Sequence, residues 1–538
     1  MESFAADLAT LVRRPLADEY VAKMRRVGQV VQATKGQMVQ NPGEATDLFH
    51  FVLSGEVEAV DPTSNNRLGR ATLGPGQFFG DLQFLSGGVS LAGARALTAS
   101  ELLCVPREKM LKLMADNPDM SDIIVTVFAA RRRRAVEQSD SALTLLGGER
   151  SRDVRQVASF AARNRIPFRE VALDAPEAAD VAAACGMASD TPGVVFGRDM
   201  VIDPPTPRSV AQVLGLDQAA VSGTLFDVLI VGGGPAGVAA AVYAGAEGLS
   251  AIVLENLAIG GQAGTSSRIE NYMGFPTGIS GGDLVGRGEV QAMKFGTRFS
   301  VPRRVNGLRQ CEDHCFHVRL DDGAEVSARA LIVATGVQYR RLGIDGLERL
   351  EGAGVYYAAT DIEARYCRDA GVAIVGGGNS AGQAAMFLAR STKHVHVLVR
   401  GEQLASSMSD YLLNRLESHP RITIHTRTHI EALHGAEKLE RITIRDRAAG
   451  QSWDLRTQAL FVMVGAAPNT GWLSGLVGLD DKGFVETGLD AGGRSQFETS
   501  LPGVFAVGDV RSGSVKRVAS AVGEGSVVMS AVWEHVNA

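Results

Sequence analysis

Two stretches of this 538-residue chain share one pattern: a short apolar run, a glycine cluster, then a run of small residues. Residues 228–237 read VLIVGGGPAG and residues 372–380 read VAIVGGGNS. The pattern leaves few folding options. The apolar run suits a buried parallel strand. The glycines turn it tightly, and the small residues begin a helix whose N-terminal amides can bind phosphate. One such element is a weak signal, but two in one chain imply two bound dinucleotides.

In the first copy, Asp227–Val231 reads as the strand. Gly232 allows the turn, Gly234 lets the backbone approach a pyrophosphate, and Gly237 lets the helix pack close to the strand. That helix runs from Pro235 through Ala236 to about Gly248. A second strand, Ser250–Leu254, ends in Glu255, about twenty residues past the glycines, where a carboxylate can bind ribose hydroxyls. In the second copy, Gly376, Gly378, Asn379 and Ser380 follow the strand Gly371–Val375, and a helix runs to about Ala389. The next strand, His394–Val399, ends in Arg400. An acid there would repel a 2′-phosphate whereas arginine pairs with it, so NADPH is expected in preference to NADH. A nicotinamide and a second dinucleotide together suggest electron transfer to a flavin.

A chain this long needs three or four domains. Its 62 glycines suit nucleotide-binding folds, and a net charge of −6 argues against a nucleic-acid partner. The opening MESFAADLATLVRR lacks the charged start and apolar stretch of a signal peptide. No run of about 18 apolar residues occurs, so no membrane span and a cytoplasmic location are expected. The five cysteines (Cys104, Cys185, Cys311, Cys315 and Cys367) include no CxxC pair, and their scarcity fits a reducing compartment. No metal site is read from the sequence.

Residues 1–138 begin with short alternating segments such as LFHFVLSGEVEAV, broken by turns at NPGE, DPTSNN and GPG. A polar helical stretch follows from about Arg107 to Gln138, with Arg131–Arg134 read as a solvated helix end. Residues 141–216 form a small α/β unit: LTLLGG, FREVAL and a GVVF/DMVID hairpin as strands, DVRQVASFAARNR and SVAQVLGL as helices. A linker is read at 222–224. Residues 225–336 and 460–538 make the first dinucleotide unit, with 337–459 inserted as the second.

Residues 225–538 resemble the thioredoxin reductase family of flavoproteins. The motifs, in order, are VGGGPAG, GGQAG at 260–264, ENYMGFP at 270–276, ATG at 334–336, VGGGNSAGQAA at 375–385 and TSLPGVFAVGDV at 499–510. The resemblance implies that Gly260, Gly261, Gln262 and Asn271 contact FAD, and that Thr335 and Gly336 mark the crossover to the nicotinamide domain. It implies that Gly508 and Asp509 hold the ribityl and diphosphate side, and that Lys516, Arg517 and Val518 lie beside the isoalloxazine. Relatives are commonly dimers, so a homodimer is expected.

The departure from that family matters more than the match. The family carries a redox-active CxxC just before the second glycine cluster, where this chain reads GAGVYYAATDIEARYC. Tyr357–Thr360 stands in its place. Thiol exchange needs two sulfurs within bonding reach, and Cys367 is single. Asp361 could protonate a reduced substrate or serve as a helix cap. Tyr356 and Tyr357 could stack on flavin or substrate, or simply pack. Arg400 matches one of the family's phosphate-binding basic residues, and Gly401 replaces a second.

The N-terminal segments DLFHFVLSGEVEAV and LGPGQFFGDLQFLSGG resemble the cyclic-nucleotide-binding domain, a β-roll. Its ribose-binding Gly-Glu pair is Gly80–Asp81 here. Ser90 and Leu91 occupy the place of its phosphate-binding arginine, and Arg95 is displaced. That missing cation weighs against cyclic nucleotide binding at residues 70–95. The middle unit resembles a glutaredoxin-like thioredoxin fold, with Thr191–Pro192 in the place of its cis-proline loop and no cysteine near Gly148–Asp153. The fold class expected is therefore multidomain: a β-roll, a small thioredoxin-like unit and two Rossmann-like domains. The leading function is an NAD(P)H-dependent flavin oxidoreductase, passing hydride from NADPH to FAD and on to an unnamed small-molecule or protein acceptor. The alternatives are a thioredoxin reductase working through an external disulfide, and a flavin-based redox or ligand sensor.

Overall fold

The computed structural model describes residues 14–61, 67–139, 141–217, 224–266, 268–311, 315–357, 359, 361–404 and 408–538. The stretch MESFAADLATLVRR, the turn DPTSNN and the linker at 222–224 fall largely outside them.

The alternating N-terminal segments fold into two four-stranded antiparallel sheets. One has the order Gln29–Ala33, Ser100–Pro106, Leu48–Ser54, Phe78–Phe79; the other Met38–Gln40, Gly93–Ala96, Val57–Val60, Arg67–Leu73. Phe49, Phe78, Phe84 and Phe128 meet at ring-centroid distances of 5.3–6.4 Å, joining this roll to the helix Pro118–Gln138. The helical stretch is two helices, Arg107–Asp116 and Pro118–Gln138. Pro118 has no N–H to continue the first and sits in the first turn of the second, where none is needed.

The reading of Arg131–Arg134 as solvated is corrected for its first half. Arg131 donates to the Phe78 carbonyl at 2.7 Å and to the Gly80 carbonyl at 3.1 Å. Arg132 pairs with Asp81 at 3.1 Å. Only Arg133 and Arg134 reach along the helix surface, to Glu137 and Gln138.

In the middle unit, Leu143–Leu146 pairs in parallel with Arg169–Val171 and antiparallel with Gly193–Phe196, which turns back into Met200–Val201. Helices Arg152–Arg163, Pro176–Ala184 and Pro207–Val213 complete a β-α-β-α-β-β-α order, that of a thioredoxin fold. Ser151 and Thr206 cap the first and last by accepting from Val154 and Ser209 amides. The expected cis bond at Thr191–Pro192 is trans; among the described residues the cis prolines are Pro204 and Pro302. The Thr191 amide closes a turn onto the Ala188 carbonyl, and the chain enters Gly193 extended.

The first dinucleotide unit has the strand order Arg298–Ser300, Ala251–Leu254, Leu225–Val231, Glu325–Val333, Phe316–Leu320, Val305–Gln310, with Val504–Ala506 also on Glu325–Val333. The second is a parallel sheet of Val355–Tyr356, Ala459–Val462, Gly371–Val375, His394–Leu398 and Ile422–His425. This corrects the return point read at 460. Ala459–Val462 is buried throughout and pairs with Gly371–Val375, so it belongs to the second sheet. The chain crosses between the units at Val337–Tyr339 and Ala466–Pro468, which pair as a two-stranded ribbon.

A buried ion pair ties the thioredoxin-like unit to the first dinucleotide unit. Arg303 and Asp217 are each 3% exposed and stand 2.5 Å apart. Arg303 also reaches Asp322 at 2.7 Å. Arg303→Ala leaves Asp217 buried without its cation and is expected to destabilise the protein by about 3–5 kcal/mol. Urea denaturation of the variant checks this; a loss under about 1 kcal/mol, the range of exposed pairs, would contradict it.

Candidate dinucleotide sites

The three glycines of the first turn are required for different reasons. Gly232 has φ +107°, and a Cβ there would lie 2.3 Å from the Ala334 carbonyl oxygen. At Gly237 a Cβ would lie 1.9 Å from the Gly232 carbonyl oxygen, so helix and strand could not pack. At Gly234 a Cβ meets nothing within 4 Å, and its φ of −72° suits any residue. The protein itself does not need glycine at 234. A phosphate approaching the first amides of the helix Pro235–Ala246 does.

Glu255 stands at the end of its strand as expected. Its two oxygens accept the Gly233 amide at 2.7 Å and the Leu257 amide at 2.9 Å. Burial pushes its pKa up, against these hydrogen bonds. The GGQAG loop folds back on the turn: the Gly260 amide donates to the Gly233 carbonyl at 2.7 Å, and Gln262 donates to the Val337 carbonyl in the crossover ribbon. Gly261 lies against Gly234 in this loop. Asn271 is exposed. Thr335 donates to the Asn469 carbonyl at 3.2 Å, and Gly336 takes φ +58° at the crossover.

Gly508 and Asp509 form a short turn between the strand Val504–Ala506 and the C-terminal helix Val518–Val536. Burial pushes the Asp509 carboxyl up, with Lys516 opposing. Lys516 stands 4.5 Å over the Phe484 ring. Arg517 is the N-cap of the C-terminal helix and Val518 its first residue.

Two residues absent from the motifs, Glu524 and Arg511, hold this turn. Glu524 accepts the Gly508 amide at 2.7 Å and pairs with Arg511 at 2.7 Å. The available signal was Gly-Glu-Gly at 523–525. A Cβ at Gly525 would lie 2.2 Å from the Ala236 carbonyl oxygen, so glycine lets the two helices meet and brings Glu524 to the turn.

The second cradle repeats the first. Gly376 has φ +150°, and a Cβ there would lie 2.3 Å from the Met463 carbonyl oxygen. Gly378 caps the helix Asn379–Leu388, and Ser380 is exposed in its first turn. The Asn379 side chain accepts from the Ser409 amide at 2.8 Å and the Ser409 hydroxyl at 3.1 Å, fixing the start of the helix Asp410–Glu417. Arg400 is exposed just past its strand. The neighbouring Gly401 carbonyl accepts the Arg427 amide at 2.9 Å, which brings a second exposed arginine to the same edge.

In the segment that replaces CxxC, Tyr356 packs 5.4 Å from the Phe461 ring. The Tyr357 hydroxyl donates to Glu351 at 2.7 Å, and Glu351 also pairs with Arg341 at 3.1 Å. Burial and then Glu351 hold Tyr357 well above the usual phenol range, so it stays protonated. Asp361 opens the helix Asp361–Tyr366; its side chain, like Ala358 and Thr360, lies outside the described residues. Cys367 is 1% exposed, and burial, then Glu363, push its thiol up to about 12.

Two phosphate-binding turns joined by a crossover ribbon define a flavoprotein oxidoreductase architecture that takes FAD and a nicotinamide nucleotide. The sequence model "Pyridine nucleotide-disulphide oxidoreductase" matches residues 226–525, and the chain belongs to that family, as a thioredoxin reductase-like, NAD(P)H-dependent enzyme. A cyclic nucleotide-binding domain is matched over residues 30–117. The thioredoxin reductase of Mycolicibacterium smegmatis is 35% identical over 304 residues, covering 56% of this chain and 94% of that protein. The thioredoxin reductase of Treponema pallidum is 32% identical over 315 residues, covering 58% of this chain and 98% of that protein. The crystal structure of Lactococcus lactis thioredoxin reductase (FR conformation) superposes with a TM-score of 0.53 at 27% identity, covering 58% of this chain and 99% of that one. No helix among the described residues is long and apolar enough to cross a membrane.

Proposed function

We propose that this enzyme draws electrons from NADPH into FAD and delivers them to an acceptor outside the chain, with no internal dithiol relay. The observation that carries the reading is the segment Tyr356–Asp361, YYAATD, where the family resemblance places a cysteine pair. Bound FAD and nicotinamide supply the two-electron chemistry. The chain's residues do the rest. Gly232, Gly234 and Gly237, with the helix that opens at Pro235 and its amides from Ala236 onward, hold the FAD diphosphate. Glu255 holds its ribose, and Gly261, Gln262, Asn271, Gly508 and Asp509 line its length. Thr335 and Gly336 set the crossover that lets the two ring systems meet. Lys516, Arg517 and Val518 border the flavin ring. Gly376, Gly378, Asn379 and Ser380 hold the nicotinamide nucleotide's diphosphate. Asp361 is assigned to supply a proton to the reduced substrate, and Glu351 keeps Tyr357 in place.

Arg400, with Arg427 at the same edge, is assigned to the 2′-phosphate. Arg400→Glu is expected to raise the KM for NADPH about 10- to 100-fold, ~1–3 kcal/mol, and to leave the KM for NADH nearly unchanged. Equal KM values for the two nucleotides in the wild type would sink this assignment.

The β-roll's own side chains weigh against cyclic nucleotide binding. Its candidate ribose acid, Asp81, is paired with Arg132; the Ser90 hydroxyl donates to the Ala92 carbonyl; and Arg95 pairs with Glu58 at 2.6 Å. A second reading, a flavin-based sensor, draws on one contact: Asn164 of the thioredoxin-like unit donates to the Leu257 carbonyl at 3.1 Å, two residues past Glu255. Anaerobic stopped-flow mixing with NADPH separates the two readings. Rapid bleaching of the flavin supports the enzyme, and a flavin left oxidised supports the sensor.

A further inference from the structure

We propose that Cys311, Cys315 and His317 form a site for a borderline-soft divalent metal ion, zinc being the best match, at the tip of the hairpin Val305–Gln310/Phe316–Leu320. The spacing is C-x3-C-x-H rather than CxxC. The hairpin closes with the Cys311 amide donating to the Cys315 carbonyl at 2.9 Å. This turns both sulfurs to one side, and the two Sγ atoms and a His317 nitrogen all lie within 4.8 Å of one another. The Cys315 Sγ to His317 Nε2 distance is 3.9 Å. A tetrahedral zinc with Zn–S near 2.3 Å and Zn–N near 2.05 Å needs about 3.6 Å, so this pair closes on an ion with a shift of a few tenths of an ångström, and the 4.8 Å bound leaves Cys311 Sγ within about an ångström of its place.

A second observation points the same way. His317 Nδ1 lies 2.9 Å from the Ser327 hydroxyl, with Glu325 3.9 Å away. An Nδ1–H donating to Ser327 leaves the Nε2 lone pair facing the sulfurs, the outer hydrogen bond typical of a metal-bound imidazole. Arg309 donates to Cys311 Sγ at 3.2 Å. Two sulfurs and one imidazole select zinc over magnesium or calcium, with the fourth position left to water or an exogenous ligand. Binding displaces the two thiol protons to solvent. The site is remote from the flavin cradle. Phe316 pairs with Ala328, six residues before Ala334 at the glycine turn, or about 20 Å along the strand. The assigned role is to pin the hairpin.

The test uses the full-length FAD-containing protein, reduced, freed of reductant and dialysed against zinc with a weak chelator, with retained zinc counted by mass spectrometry. The wild type and Cys185→Ser should retain one zinc per chain. Cys311→Ser and His317→Gln should retain almost none with flavin content unchanged. Ser327→Ala should bind zinc about 10-fold more weakly. No zinc in the wild type, or equal zinc in all variants, overturns the proposal. So does a Cys311–Cys315 disulfide in the purified protein that, once reduced, still takes up no zinc.

Discussion

Gly234→Val is expected to purify folded and colourless. A Cβ there meets no protein atom within 4 Å, and the backbone at φ −72° accepts valine. The whole cost therefore falls on the ligand, whose pyrophosphate must come where the valine methyls stand. Loss of that approach should weaken FAD binding about 100-fold or more, ~3 kcal/mol. The thermal midpoint of the variant should match that of wild-type apoprotein. Gly237→Val is the contrasting case: its Cβ would lie 1.9 Å from the Gly232 carbonyl oxygen, so the fold itself should suffer. Flavin absorbance after gel filtration, read beside a melting curve, distinguishes the two. Full flavin occupancy in Gly234→Val would mean the cradle is misplaced.

Anaerobic titration with dithionite should consume two electrons per FAD, rather than the four of a flavin–disulfide pair. The five cysteines form no disulfide. Cys367, the one closest in sequence to the second glycine turn, has a thiol pushed up to about 12. At pH 7 about one part in 100,000 is thiolate. Cys367→Ser should leave the rate of flavin reduction unchanged, and thioredoxin should be a poor acceptor. Four-electron uptake in the wild type that fell to two in Cys367→Ser would refute the reading and place a working sulfur in the relay.

Much of the fold was legible because its signals are local. A glycine at positive φ inside an apolar run, an acid at a strand end and small residues opening a helix each declare themselves within about twenty residues. The misreadings share the opposite property. Ala459–Val462 is a four-residue apolar strand that could serve either dinucleotide sheet, and only its pairing with Gly371–Val375 decides. Glu524 looks like an ordinary helix-surface acid until the packing at Gly525 carries it to Gly508. Arg131 and Arg132 read as one charged run with Arg133 and Arg134. Their position on the inner face of the helix, against Phe78–Asp81, is a tertiary fact. The second cradle was legible in the same way as the first, but Arg427 reaches Arg400's edge through a backbone bond between strand ends that no spacing rule reports.

The Arg303–Asp217 pair bears on how such a chain could have been assembled from parts. The natural place to cut is the linker read at 222–224, since the chain beyond it matches a free-standing thioredoxin reductase along 94% of that relative's length. Yet the cut leaves Asp217 on the discarded piece and Arg303 on the retained one. The retained catalytic half would keep Arg303 paired with Asp322 alone, one carboxylate short of its present surroundings. The pair makes part of the catalytic half's stability depend on the N-terminal half. A minimal enzyme carved from this protein should therefore begin before Asp217, so that both halves of the pair stay together.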